Sequence, residues 1–88
     1  MSYRIEYTSR ARKDLKSLPI ATAQNIIRSI KELKDDPYSY VKKLKGTERH
    51  RLYTHRTGDY RAILTIEDDR LLILVLEAGH RSKIYRKY

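Results

Sequence analysis

Three short stretches carry the residues best suited to chemistry. Arg56 and Arg61 bracket the segment Thr57-Gly58-Asp59-Tyr60, His80 and Arg81 follow Gly79, and Tyr85 and Arg86 come next on the C-terminal side. Guanidiniums hold a phosphate through paired, charge-assisted hydrogen bonds and can stabilise charge developing on its oxygens. Histidine, lysine or tyrosine can move protons once the pKa is drawn toward neutrality, which nearby cations do for lysine and tyrosine. Such a set suits cleavage of a phosphodiester in RNA, where the ribose 2′-hydroxyl is the nucleophile and the protein need not supply one. Lys42, Lys43 and Lys45 precede Gly46 in a basic stretch expected to touch the same strand, and Arg51 and Arg86 extend the basic surface.

Composition points the same way. The 88 residues carry 20 Lys and Arg against 11 Asp and Glu, a net charge of +9. That imbalance predicts an anionic partner, either nucleic acid or an acidic protein. There are eight tyrosines and no Phe or Trp; tyrosine can stack on unpaired bases. Tyr3, Tyr7 and Tyr60 read as core instead. The absence of cysteine rules out disulfides and thiolate metal sites, and the three histidines (His50, His55, His80) form no zinc-binding pattern. No metal or other cofactor is expected. Without an apolar run of about 20 residues or a leader-like N-terminus, the chain reads as cytoplasmic with no membrane partner. A chain this short makes one domain, residues 1–88, with a small core that an obligate partner would stabilise.

The elements that must position these residues are legible from periodicity. Tyr3-Arg4-Ile5-Glu6-Tyr7 alternates as a half-buried strand does. Thr8 or Ser9 can cap a first helix containing Ala11, Leu15 and Leu18. Pro19 opens a second helix, whose apolar stripe is Ile20, Ala23, Ile26, Ile27, Ile30 and Leu33, and Asp35-Asp36-Pro37 stops it. Residues 37–48 read as a loop. Strands follow at Arg49–Arg56 and Tyr60–Glu67, and the continuous apolar run Leu71–Leu76 reads as a strand covered on both faces. His80–Tyr88 is a basic tail of one or two helical turns. The order β-α-α-β-β-β predicts an α+β domain, a two-helix hairpin packed on one face of a twisted, mostly antiparallel four-stranded sheet.

Two-residue turns at Thr57-Gly58 and Asp68-Asp69 would pair Arg56 with Asp59, Thr54 with Arg61, Leu52 with Ile63, and Arg61 with Leu76. The end of the last strand then lies beside the start of the middle one. Gly79-His80-Arg81 emerges next to Arg56 and Arg61, gathering three cations and an imidazole at one edge of the sheet.

Lys43-Leu44-Lys45-Gly46, Arg56-x-Gly58-Asp59-Tyr60-Arg61 and Gly79-His80-Arg81-x-x-x-Tyr85-Arg86, in that order and spacing, resemble the RelE/ParE toxin superfamily over nearly the whole chain. The resemblance implies a toxin of a type II toxin–antitoxin system: a metal-independent, ribosome-dependent endoribonuclease acting on messenger RNA. It implies silencing by an acidic, RelB-like antitoxin, with the toxin monomeric when free and in a higher-order complex when bound. By position, Arg61 would hold the scissile phosphate, Arg81 would assist the leaving group, and Tyr85 would orient or stack on the substrate. Lys45 and Arg56 would contact phosphate. The chain departs from the RelE pattern at Leu52 and Thr54, where a lysine pair often stands, one of them the general base. His80, Lys45 or a ribosomal group is the expected replacement. Two other readings remain open: a ParE-like inhibitor of DNA gyrase, and a non-catalytic basic binding module.

Overall fold

The computed structural model describes residues 2–44 and 51–88. Strand β1 (Arg4–Tyr7) leads to helix α1 (Ser9–Lys16), capped as expected by Thr8, whose Oγ1 accepts from the Ala11 N–H at 3.0 Å. Helix α2 (Ile20–Lys31) follows directly after Pro19. Two 3₁₀ turns, Glu32–Lys34 and Pro37–Tyr40, carry the chain to the very short strand β2 (Lys42–Lys43). Strands β3 (Leu52–Thr57), β4 (Tyr60–Glu67) and β5 (Leu72–His80) then run in succession, and helix α3 (Arg81–Lys87) ends the chain.

The sheet has the order β1-β5-β4-β3-β2. β1 runs parallel to β5, and every other pair is antiparallel. The α+β architecture with two helices on one face is therefore as expected, but the described residues form five strands where four were expected. The addition is β2, within the segment read as a loop. Its two lysines show no apolar alternation, and it is a strand because β3 supplies hydrogen-bonding partners opposite it.

The core lies between the helices and one face of the sheet. Ala11 and Leu15 of α1, Ile26 and Ile30 of α2, and Leu33 meet Tyr53, Ala62, Leu64, Ile73, Val75 and Ala78 of the strands. The stripe of α2 is narrower than its sequence suggests, since Ile20 is 76% exposed and Ile27 40%. The opposite face is covered at one end by α3, whose buried Ile84 packs over Gly79, its Cδ1 3.7 Å from where a Cβ would stand there.

Both hairpin registers differ from the expected ones. The first turn is Gly58-Asp59, with Thr57 opposite Tyr60 and Arg56 opposite Arg61. Gly58 has φ +59° while Asp59 has no positive φ, the arrangement of a type II′ turn, which needs glycine at its first central position rather than its second. The pairing moves by two residues, so each side chain keeps its face. In the second hairpin, Asp68–Arg70 forms a 3₁₀ turn completed by Leu71 in the left-handed region (φ 47°), and Glu67 pairs with Leu72. A register shift between Ile63 and Leu64, with Leu76 as the extra residue of β5, then sets Arg61 opposite Gly79 and Tyr60 opposite His80.

Candidate nucleic-acid interface

Arg56 and Arg61 face each other across β3 and β4, on the side of the sheet turned away from α1 and α2. Like charges directly opposite in an antiparallel pair repel. Both guanidiniums fold toward the turn: Arg61 Nη1 donates to the carbonyls of Gly58 (2.9 Å) and Tyr60 (3.0 Å), and Arg56 Nε donates to Gly58 O at 3.3 Å. Neither meets a carboxylate among the described residues. Arg61 is nevertheless only 8% exposed. Its guanidinium carbon lies 5.6 Å from the centre of the Tyr85 ring, within cation–π range. Arg61 is thus a buried cation whose neighbours are carbonyl dipoles and a π-face, with the rest of its donor fork open to a ligand.

These residues line a cleft of about 660 Å³ whose opposite wall is Ser39–Leu44. Lys42 and Lys43 stand on that wall, Thr54, Arg56 and Arg61 on the floor, and Tyr85 on the rim, where it is 61% exposed. The described lining residues include four cations and no carboxylate. Thr54 adds a second unusual feature. Its Oγ1 is buried on the cleft floor with no hydrogen-bond partner among the described residues, a state that costs stability in the free protein.

The structure brings Arg56, Arg61 and Tyr85 together and sets Lys43 on the wall, paired with Tyr53 of the helix side. It does not bring the other expected residues into the cleft. His80 caps α3, Nδ1 accepting from the Ser82 N–H at 3.2 Å, and its ring packs edge-on against Tyr60 at 5.6 Å. Tyr60 and Arg61 are consecutive in β4 and point to opposite faces, so His80, paired with Tyr60, is separated from the cleft by the alternation of the strand. Arg81 is exposed at the first position of α3, its N–H donating to Asp59 O at 2.7 Å; the backbone adjacency holds, but Arg81 does not line the cleft. Arg86 is exposed in the last turn of α3. Arg51 lies at the other end of β3, where its charge contributes to holding the Asp68 carboxyl below the usual range. The larger causes there are hydrogen bonds from Tyr38 and Tyr3, with burial opposing them. Lys45 lies outside the described residues. Lys42, part of the basic stretch expected to touch RNA, lines the cleft, and Tyr40 and Thr54 belong to it without having been singled out as site residues; the strand parity that puts Arg56 on the floor also puts Thr54 there.

A carboxylate fastens α3. Glu77 accepts from Lys87 Nζ at 3.0 Å and from the Tyr88 hydroxyl, and Arg10 Nη2 of α1 stands 3.9 Å away. Burial works against ionisation of Glu77, but the hydrogen bonds from Tyr88 and Lys87 and the charges of Lys87 and Arg10 prevail and hold it below the usual carboxylate range. Asp14 plays a related part on the free edge of β5, accepting from the Ala78 N–H at 3.1 Å where β1 no longer covers it.

Fold and cleft together define a class: a small basic α+β protein whose sheet, on the face turned away from α1 and α2, presents a cationic groove. The model of the ParE toxin of type II toxin–antitoxin systems matches residues 5–85. The chain belongs to that family, within the RelE/ParE toxin superfamily, and is a type II toxin. It is 30% identical to toxin RelG of Mycobacterium tuberculosis over 99% of this chain and 100% of that one. It is 23% identical to the mRNA interferase toxin RelE of Escherichia coli K12, over 97% and 92%. Among solved structures it resembles a chain of the toxin–antitoxin complex RelBE2 from M. tuberculosis, with a TM-score of 0.84 and 25% identity over 93% of this chain and 94% of that one.

Proposed function

We propose that this toxin is an endoribonuclease that cleaves messenger RNA on the ribosome by attack of the 2′-hydroxyl on the adjacent phosphate. The observation that carries the reading is the Arg56–Arg61 pair, two cations directly opposite one another in a cleft whose described lining has no carboxylate. A phosphate between them would turn a repulsive contact into an attractive one, and donors fixed in advance cost no reorganisation when charge develops. The described lining has four cations and neither carboxylate nor imidazole, so in this reading the chemistry rests on arginine and proton transfer. The kinship with an mRNA interferase supports the same reading.

In this mechanism Arg61 holds the scissile phosphate, Arg56 and Lys42 bind the flanking backbone with Lys43 beside them on the wall, and Tyr85 stacks on a base. Arg81 reaches in from the rim toward the leaving group, while Lys45, Arg51 and Arg86 extend the contact with RNA. Thr54 and Leu52 bear no group that can act as a base. His80 is committed to its cap, so proton abstraction falls to a lysine of the cleft wall or to a ribosomal group. The natural partner in this reading is an acidic, RelB-like antitoxin, drawn by the +9 charge.

The matching family model is that of ParE toxins, which makes inhibition of DNA gyrase the second reading. The test is to add the purified toxin to translating ribosomes and, separately, to gyrase. The proposal predicts cuts within translated codons leaving 2′,3′-cyclic phosphate and 5′-hydroxyl ends, with supercoiling untouched. Products with 5′-phosphates would contradict the mechanism, and lost supercoiling with intact message would favour the second reading.

A further inference from the structure

His55 is buried, on the opposite face of β3 from the cleft, and both its ring nitrogens are engaged. Nδ1 lies 2.8 Å from the Tyr40 carbonyl oxygen and Nε2 2.7 Å from Ser29 Oγ of α2. A carbonyl can only accept, so Nδ1 carries a proton, and in the neutral ring Nε2 then accepts from the Ser29 hydroxyl. The position of the Tyr40 bond is informative. β2 pairs with β3 only at Lys42↔Thr54 and Lys43↔Tyr53, with Leu44 N–H donating to Leu52 O beyond. On the other side the ladder ends before Val41, and the His55 imidazole takes the carbonyl of Tyr40 just past that end. A side chain thus continues a ladder too short to hold by itself, on the wall that carries Lys42 and Lys43.

We propose that His55 is a positioning residue: through Nδ1–H it fixes the cleft wall so that Lys42, the register partner of the cleft residue Thr54, faces the phosphates of a bound RNA strand. This rests on the reading of the cleft as an RNA site, and it adds what holds the wall. Ser29, bonded to the other nitrogen, anchors the ring to α2.

The two bonds can be separated by isosteres. His55→Asn keeps a donor near Nδ1 and loses the contact with Ser29. His55→Gln keeps a polar group near Nε2 and loses the Tyr40 bond. Ser29→Ala removes the α2 bond alone. The probe is a fluorescently labelled, 2′-O-methylated single-stranded oligonucleotide that cannot be cleaved, titrated with the whole toxin at several salt concentrations. For single strands the slope of log affinity against log salt changes by about 0.7 per phosphate contact. His55→Gln should lower the slope by at least one such step, whereas His55→Asn and Ser29→Ala keep the wild-type slope even if all three melt earlier. An unchanged slope in His55→Gln, or an equal fall in all three, overturns the proposal. A wild-type slope near zero instead overturns the RNA reading of the cleft itself. Nitrogen NMR of the wild-type toxin gives an independent check that needs no variant to fold. The neutral His55 ring must be the Nδ1–H tautomer, and an Nε2–H signal refutes the assignment.

Discussion

Thr54 and His55 are consecutive residues of β3, and their polar atoms are treated in opposite ways. Both nitrogens of His55, on the helix side, have partners within 2.8 Å. The hydroxyl of Thr54, on the cleft side, is buried with none among the described residues. The contrast extends along both faces. Toward α1 and α2 lie Ala62, Leu64, Ile73 and Val75, packed to almost no exposure. Toward the cleft lie an opposed pair of arginines and that unbonded hydroxyl. The helix side is organised for stability, while the cleft side holds groups in arrangements that an anionic ligand would relieve. In a domain this small the first face must support the second.

That contrast can be broken from either side. The largest effect is expected in the core, where Leu64→Ala removes a fully buried side chain and should cost about 2–5 kcal/mol. Chemical denaturation measures this, and the fraction that remains folded should keep its activity. Next comes Arg61→Ala, expected to lower cleavage on programmed ribosomes about 10²–10³-fold, the loss typical of one preorganised donor. Thr54→Val sharpens the comparison by going the other way. Replacing a buried, unbonded hydroxyl with a methyl should raise stability by about 1 kcal/mol, or about 4–8 °C in melting temperature. A fall in melting temperature would mean that the hydroxyl has a partner after all.

The smallest effect concerns acid. The folded-state pKa of Glu77 lies below its ordinary value, so its contribution is fully present above about pH 4.5, the ordinary value for an unfolded carboxyl. It is lost as the pH falls through the folded-state value. α3 should therefore loosen in that acid window, exposing amide protons of Ile84–Tyr88 to exchange. Glu77→Gln should loosen α3 already at neutral pH and remove that part of the pH dependence.

Much of this was legible in the sequence where one element's own pattern decides the outcome. The alternation of Tyr3–Tyr7, the Thr8 cap and the positions Ile26, Ile30 and Leu33 all report local preference reinforced by burial. The features missed depend on a partner elsewhere in the chain. β2 exists because of β3. The exposure of Ile20 and Ile27 reflects where α1 and the sheet leave α2 uncovered. The Gly58-Asp59 turn was displaced by one residue because glycine suits either central position and only the backbone hand of the hairpin selects between them. At the site, Arg56 and Arg61 share the cleft face because a two-residue register shift preserves faces, and Tyr85 joins them from α3. His80 was placed by proximity to the strand end, which gives the correct edge but not which side of the sheet its ring occupies.

Arg61 is where the two faces could be confused, since its bonds to Gly58 and Tyr60 carbonyls would also suit a purely structural brace for the turn. The most direct measurement is parallel thermal melting of wild type and Arg61→Ala, with and without a non-cleavable single-stranded RNA at low salt. The account predicts similar melting temperatures without ligand, because lost hydrogen bonds are offset by relief of repulsion from Arg56, and a clear rise with RNA in the wild type alone. A ligand-free variant melting more than about 10 °C lower, a loss of well over 1 kcal/mol in a domain of this size, together with an undiminished response to RNA, would make Arg61 a structural brace and contradict the account.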